Sequence, residues 1–253
     1  MLTTMKRIII IMAAALITLA AAGKTYVVAA GINDYPGVNM DLNLCANDAK
    51  SMKQIYMKHG DVEVALLLDA QATTDNVSKT MTQLFSKATA NDAIVFFYSG
   101  HGSTTGFRLY NAVLTHKNII KLMSKSKAIR KMIFADACHS GGLRVATSSS
   151  ASTTSTSSLT NADINRYNKL NVLFFLSSRD AEVSFENNKM SNGFFTAYLE
   201  RGLRGAADAN KDRDITAKEL FVYVSNGVQK LSKGKQHPVM WGKFDDNMSV
   251  LRW

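Results

Sequence analysis

Residues 132–142 read MIFADACHSGG. An apolar run of strand length meets Asp136, then a cysteine, a histidine and a glycine pair. A second stretch has the same form: residues 92–102, DAIVFFYSGHG, run apolar and stop at a histidine between glycines. Short apolar runs that end abruptly in turn chemistry are the mark of strands buried on both faces. Each such run here delivers a reactive side chain to its carboxyl end.

Working outward, the pattern alternates. Residues 24–31 (KTYVVAAG) predict a strand, and 41–58 a helix with Cys45, Ala49, Met52 and Tyr56 at helical spacing. Strands are expected at 62–68, 92–99 and 131–136. Helices are expected at 74–88, with Val77, Met81, Leu84, Phe85 and Ala88 on one stripe, and at 115–124. The sheet resumes at 171–177, two helices follow at 193–203 and 217–231, and the tail from Ser249 reads as a last strand. Strands alternating with helices imply an α/β fold, a mostly parallel sheet with helices on both faces. Residues 147–160 (TSSSASTTSTSSLT) are nearly pure Ser, Thr and Ala and cannot bury a core. They read as a loop inside one domain, dividing a larger part, about 23–146, from a smaller one at 161–253.

Composition narrows the function. The 253 residues are 46% hydrophobic, which suits one substantial core. Lys6 and Arg7 precede an apolar run over 8–19 that exits through small residues, so 1–22 read as a signal peptide. The run is shorter than the roughly 20 residues a spanning helix needs, although an uncleaved anchor is the alternative. The mature chain is then exported, to a periplasm or the extracellular space. The net charge of +10 invites a nucleic-acid reading. Its lysines are scattered, with no basic run and no interleaved aromatics, so no nucleic-acid partner is expected. Neither a Gly-x-Gly-x-x-Gly nor a P-loop motif is present, which excludes the commonest nucleotide-binding classes. The two cysteines, Cys45 and Cys138, could form one disulfide in an exported protein.

Cys138 reads differently. In a parallel sheet, ligands bind beyond the carboxyl ends of the strands. If the strands at 92–99 and 131–136 are neighbours, His101 and Cys138 stand side by side there. A thiol needs a base to become the nucleophilic thiolate, and a histidine within reach supplies one. His139 is a rival by proximity, but adjacent residues of an extended chain point apart. The backbone N–H groups of Gly102 and Cys138 are candidate oxyanion donors. Asp136, two residues before Cys138, is either a recognition carboxylate for a basic side chain or an acid satisfying local backbone. Asp48 is equally open between a recognition role and a solvated helix position.

YSGHG (98–102) and DACHSGG (136–142) resemble the paired boxes of caspase-like cysteine peptidases, closest to metacaspases and their bacterial relatives. The resemblance continues through GINDY (31–35), NLCANDAKSM (43–52), FLSSRDAEVSFE (175–186), GFFTAYLERGL (193–203) and HPVMWG (237–242). It implies a caspase-like three-layer sandwich and a cysteine endopeptidase with a Cys138–His101 dyad. It also implies a pocket of Cys45, Asp48, Ser99 and Asp136 for Arg or Lys before the scissile bond (P1). Caspases carry Gln-Ala-Cys-x-Gly and a histidine about 50 residues upstream. Here the motif is Asp-Ala-Cys and the separation is 37 residues, so cleavage after aspartate is not implied. The expected partners are protein or peptide substrates with basic P1 residues. Two readings share this framework: a silent homologue acting as a binding module, and a transpeptidase or ligase that resolves the acyl-enzyme with an amine. Arg144, Arg166 and Lys169 flank the Ser/Thr stretch, which makes self-processing there an expectation of the same specificity.

No cofactor is required by this chemistry. Calcium enters as a possibility through DANKDRDITAKE (208–219), which sets Asp208, Asn210, Asp212, Asp214, Thr216 and Glu219 at the ligand positions of an EF-hand loop. The turn position that normally holds glycine is Arg213, and Thr216 with Glu219 equally reads as a capping box. The stretch 103–130, where metacaspases draw acids for activating calcium, contains no Asp or Glu.

Overall fold

The computed structural model describes residues 23–37, 39–103, 105–137, 171–179 and 190–253. The expected signal segment, Cys138, His139, the Ser/Thr stretch with its flanking basic residues, and most of 175–186 lie outside the described residues.

Six strands form the central sheet: β1 (Thr25–Gly31), β2 (Val62–Leu68), β3 (Ala93–Ser99), β7 (Arg130–Asp136), β8 (Val172–Leu176) and β10 (Val239–Gly242), in the order β10-β8-β7-β3-β1-β2. All neighbours are parallel except β10, which runs antiparallel to β8. The alternation read from the sequence is thus an α/β sandwich, and strands from both sides of the Ser/Thr stretch share one sheet. Three short strands, β4 (Gly102–Ser103), β5 (Gly106–Arg108) and β6 (Val113–Thr115), make a small antiparallel sheet after β3.

Side chains alternate across the central sheet with period two. Val28, Phe96, Ile133 and Phe174 enter one core with the helices α2 (Thr74–Phe85) and α3 (His116–Ser124). Val27, Phe97, Phe134 and Phe175 enter the other with α1 (Cys45–Tyr56), α4 (Phe194–Arg201) and α5 (Ala217–Leu231). That double burial explains why these strands read as unbroken apolar runs.

Several elements depart from the sequence reading. The first helix begins at Cys45, not at 41, because residues 41–44 form the turn that enters it; Asn33 caps it from a distance, its Oδ1 accepting from Ala46 N at 2.9 Å. The tail strand, β11 (Ser249–Arg252), does not join the main sheet. It pairs with β9 (Asp214–Thr216) in a separate ribbon. β10 went unread because its four residues carry no alternation that a motif search distinguishes from a loop.

An aromatic cluster lies on the second face. Phe175 meets the rings of Phe195 at 4.9 Å, Phe221 at 5.7 Å and Phe134 at 6.3 Å between centroids. Truncating it leaves a cavity as well as losing transfer energy, so Phe175→Ala is expected to cost about 3–5 kcal/mol in urea unfolding. A cost under about 1 kcal/mol would show that this face is loosely packed.

Candidate active site

The parallel register aligns the strand ends: Gly31 stands opposite Ser99, and Ser99 opposite Asp136. β3 and β7 are therefore neighbours, as the side-by-side placement of His101 and Cys138 requires. His101 lies two residues beyond Ser99; Cys138 lies two beyond Asp136, just past the last described residue of that segment. The backbone that leads to it is tightly held. Gly100 N donates to Asp136 O at 3.2 Å. Ala137 N donates to Ser177 Oγ, and that hydroxyl donates back to Ala137 O, both at 3.0 Å.

His101 is gripped from two sides. Its N–H donates to Tyr35 Oη at 3.0 Å, and Tyr98 Oη donates to its carbonyl at 2.8 Å. Burial pushes the Tyr35 hydroxyl up to about 12 and raises Tyr98 well above its usual value, so both remain protonated donors. Gly100 makes this possible: a Cβ there would sit 2.4 Å from both tyrosine oxygens. The imidazole Nε2 is 2.7 Å from Met40 O. A carbonyl only accepts, so Nε2 carries the proton and Nδ1 keeps the lone pair that a base needs. The Met40 carbonyl thus fixes the orientation of the ring. Sequence reading could not name it, because a backbone oxygen leaves no residue-type signal. Arg108 N donates to His101 O, which makes Gly102 and Phe107 a non-hydrogen-bonded pair. The Gly102 N–H therefore faces away from β5, as an oxyanion donor must.

Asp48 and Asp136 come together below this histidine, with Ser99 between their elements. Asp48 is almost wholly buried; its Oδ2 accepts from Ser99 Oγ at 2.7 Å, and its Oδ1 from Asn192 Nδ2 at 2.9 Å and Gly193 N at 3.1 Å. Asp136 Oδ2 accepts from Thr196 N at 3.1 Å and Thr196 Oγ1 at 2.9 Å. Cys45 is buried one turn before Asp48 on α1. Desolvation raises the Asp48 carboxyl well above the usual range and the neighbouring Asp136 charge adds to it, while its hydrogen bonds pull the other way. Asn192, Gly193 and Thr196 were not singled out from the sequence, since a lone Asn, Gly or Thr has no catalytic signature.

The 208–219 loop lies elsewhere, on the ribbon of β9. Its acids serve turns: Asp208 Oδ2 accepts from Arg213 N, Asp212 Oδ1 from Asp214 N, and Glu219 closes the capping box with Thr216. Asp214 pairs with Arg252 and Ser249. Among the described residues no three His, Cys, Asp or Glu side chains gather as a metal site requires. No described helix is long and apolar enough to cross a membrane.

The caspase domain model matches residues 24–248, and the chain belongs to that family. It is 31% identical over 137 residues to metacaspase-4 of Arabidopsis thaliana, covering 45% of this chain and 32% of that protein. Metacaspase-1 of Debaryomyces hansenii is 35% identical over 92 residues, 33% of this chain and 21% of that one. The chain thus spans about a third or less of the length of these curated relatives. Among solved structures, a structural-genomics protein of Geobacter sulfurreducens superposes with a TM-score of 0.64 at 18% identity, covering 91% of this chain and 97% of that one. Spodoptera frugiperda pro-caspase-1 superposes at 0.63 and 14% identity, covering 90% of each. These likenesses confirm the caspase-like three-layer fold.

The raised Asp48 carboxyl has a consequence for stability. A group that holds its proton more tightly folded than unfolded contributes stability at acid pH and loses it as pH climbs from the usual carboxylate value through the raised one. Asp48→Asn keeps the shape without the charge. Its melting temperature is expected to exceed that of the parent by a margin that widens as the pH climbs above the usual carboxylate value of about 4. A constant margin over that climb would mean Asp48 ionises as an ordinary surface acid.

Proposed function

We propose that this protein is a cysteine endopeptidase that cleaves after Arg or Lys through a Cys138–His101 dyad. The observation that carries the reading is the buried Asp48–Asp136 pair at the carboxyl ends of α/β strands, beside a histidine whose tautomer leaves Nδ1 as a base. A P1 guanidinium entering between the carboxylates replaces water with two charge-assisted contacts, bidentate where the planes match.

The chemistry follows from the residues. The Cys138 thiolate attacks the scissile carbonyl carbon, and the developing oxyanion takes hydrogen bonds from the N–H groups of Gly102 and Cys138. His101, now carrying the thiol proton on Nδ1 and its own on Nε2 toward Met40 O, protonates the leaving amine, whose C–N bond breaks. Water then attacks the thioester, returning a proton through His101 and releasing the acid. No step needs a cofactor, and the 208–219 loop is outside this path. The N-terminal segment supports export, so the substrates are proteins met outside the cytosol. The same specificity supports self-processing after Arg144, Arg166 or Lys169.

The test is hydrolysis of fluorogenic peptides with Arg, Lys or Asp at P1 by residues 23–253, with Cys138→Ala, His101→Ala and Asp48→Asn as variants and with a calcium chelator in a parallel arm. Cleavage after Arg and Lys, abolished in the first two variants, is expected. Asp48→Asn should lower kcat/KM on Arg peptides by about 100-fold, since breaking a buried charge pair costs about 3 kcal/mol or more. Chelation should change the rate by less than about twofold, as no step in the acyl-transfer route uses a metal. A preference for Asp, or full activity in Cys138→Ala, would overturn the reading; loss on chelation would bring calcium into it.

A further inference from the structure

Both recognition carboxylates are held by one short piece of chain. Residues 192–196 form the entry to α4, and they donate to Asp48 through Asn192 Nδ2 and Gly193 N and to Asp136 through Thr196 N and Thr196 Oγ1. The two acids come from different elements, α1 and β7, and α4 bridges them. The N-terminal end of a helix carries a partial positive charge that favours anions there. Thr196 is fully buried, with both of its donors aimed at the same Asp136 oxygen. Asn192 is also buried and is fixed in turn by Ser51 Oγ at 3.1 Å. Gly193 lies against both acids: a Cβ there would sit 2.6 Å from Asp136 Oδ2 and 3.4 Å from Asp48 Oδ2.

We infer that Thr196 and Asn192 are positioning residues that set the spacing of the carboxylate pair, and through it the preference for Arg over Lys. This rests on the peptidase reading above. Neither residue needs to touch substrate. The reasoning is geometric: a guanidinium is a rigid planar fork that bridges two carboxylates only at a defined separation, whereas an ammonium is a point charge on a flexible stem. Loosening one carboxylate therefore penalises Arg more than Lys. The residue types fit the task as well. Threonine offers a hydroxyl and a backbone N–H to one oxygen, and its β-branch restricts the side-chain rotamer. Asparagine supplies a neutral donor to Asp48, where a lysine or arginine would neutralise the pocket and compete with the substrate.

Thr196→Val replaces the hydroxyl by a methyl of similar size and leaves the backbone donor in place. With P1-Arg peptides its KM is expected to rise about tenfold to 100-fold, the worth of a hydrogen bond to a charged group, with kcat within about threefold. With P1-Lys peptides the rise should be several-fold smaller, so the Arg-to-Lys ratio of kcat/KM falls. Thr196→Ser should restore both values. Asn192→Leu carries the same test through Asp48 and stands in should Thr196→Val fail to fold. Alkylation of Cys138 by a small neutral thiol reagent should match the parent rate in every folded variant, because the dyad is not altered. A folded Thr196→Val with unchanged KM and unchanged Arg-to-Lys ratio would overturn the inference while leaving the peptidase reading intact. So would a failure of Thr196→Ser to rescue. Absence of cleavage after Arg or Lys by the parent chain would overturn both.

Discussion

Parallel pairing of β3 with β7, with Ser99 opposite Asp136, is the constraint on which the upper end of the molecule depends. In a pleated sheet a shift of one residue turns every side chain to the other face. Such a shift here would move Phe97 and Phe134 out of one core and Phe96 and Ile133 out of the other, and it would separate His101 from the chain that follows Asp136. The cores enforce the register because both faces are buried. The site inherits its geometry from that packing.

Above the sheet, precision comes from polar contacts that replace water one bond at a time. Tyr35 and Tyr98 clamp the backbone of His101, and the Met40 carbonyl sets its ring. Ser177 does the equivalent for Ala137. These groups lie in β3 and on the loops after β1 and β8, so the geometry around His101 and Ala137 draws on segments far apart in the chain. The carboxylate pair works against this economy. Burying Asp48 beside Asp136 raises the Asp48 carboxyl, and the donors from Ser99 and the start of α4 offset only part of that.

The strands and helices that carry the fold were legible because their patterns are strong: the stretches 24–31, 92–99 and 131–136 each centre on an unbroken apolar run, and Val77, Met81, Leu84 and Phe85 mark a single helical stripe. The small sheet at 102–115 and strand β10 were not, since two to four residues give no period. The tail strand was recognised as a strand, yet its partner was not foreseeable, because pairing is a contact between distant residues. At the site, His101 and the acids were legible by type and position. Thr196, Asn192 and Gly193 were not, for they act only through Asp48 and Asp136.

By itself, the sequence determined the α/β class, the placement of a histidine and a cysteine after consecutive apolar strands, and a family resemblance spread over most of the chain. These follow from local pattern, which a linear string preserves. Tertiary structure alone decided that β3 and β7 are neighbours, that α1 and β7 bring Asp48 and Asp136 together, that a carbonyl from residue 40 orients His101, and that the start of α4 holds both acids. Each is a contact between groups separated by tens of residues. Its strength comes from burial, and burial exists only once the layers have closed.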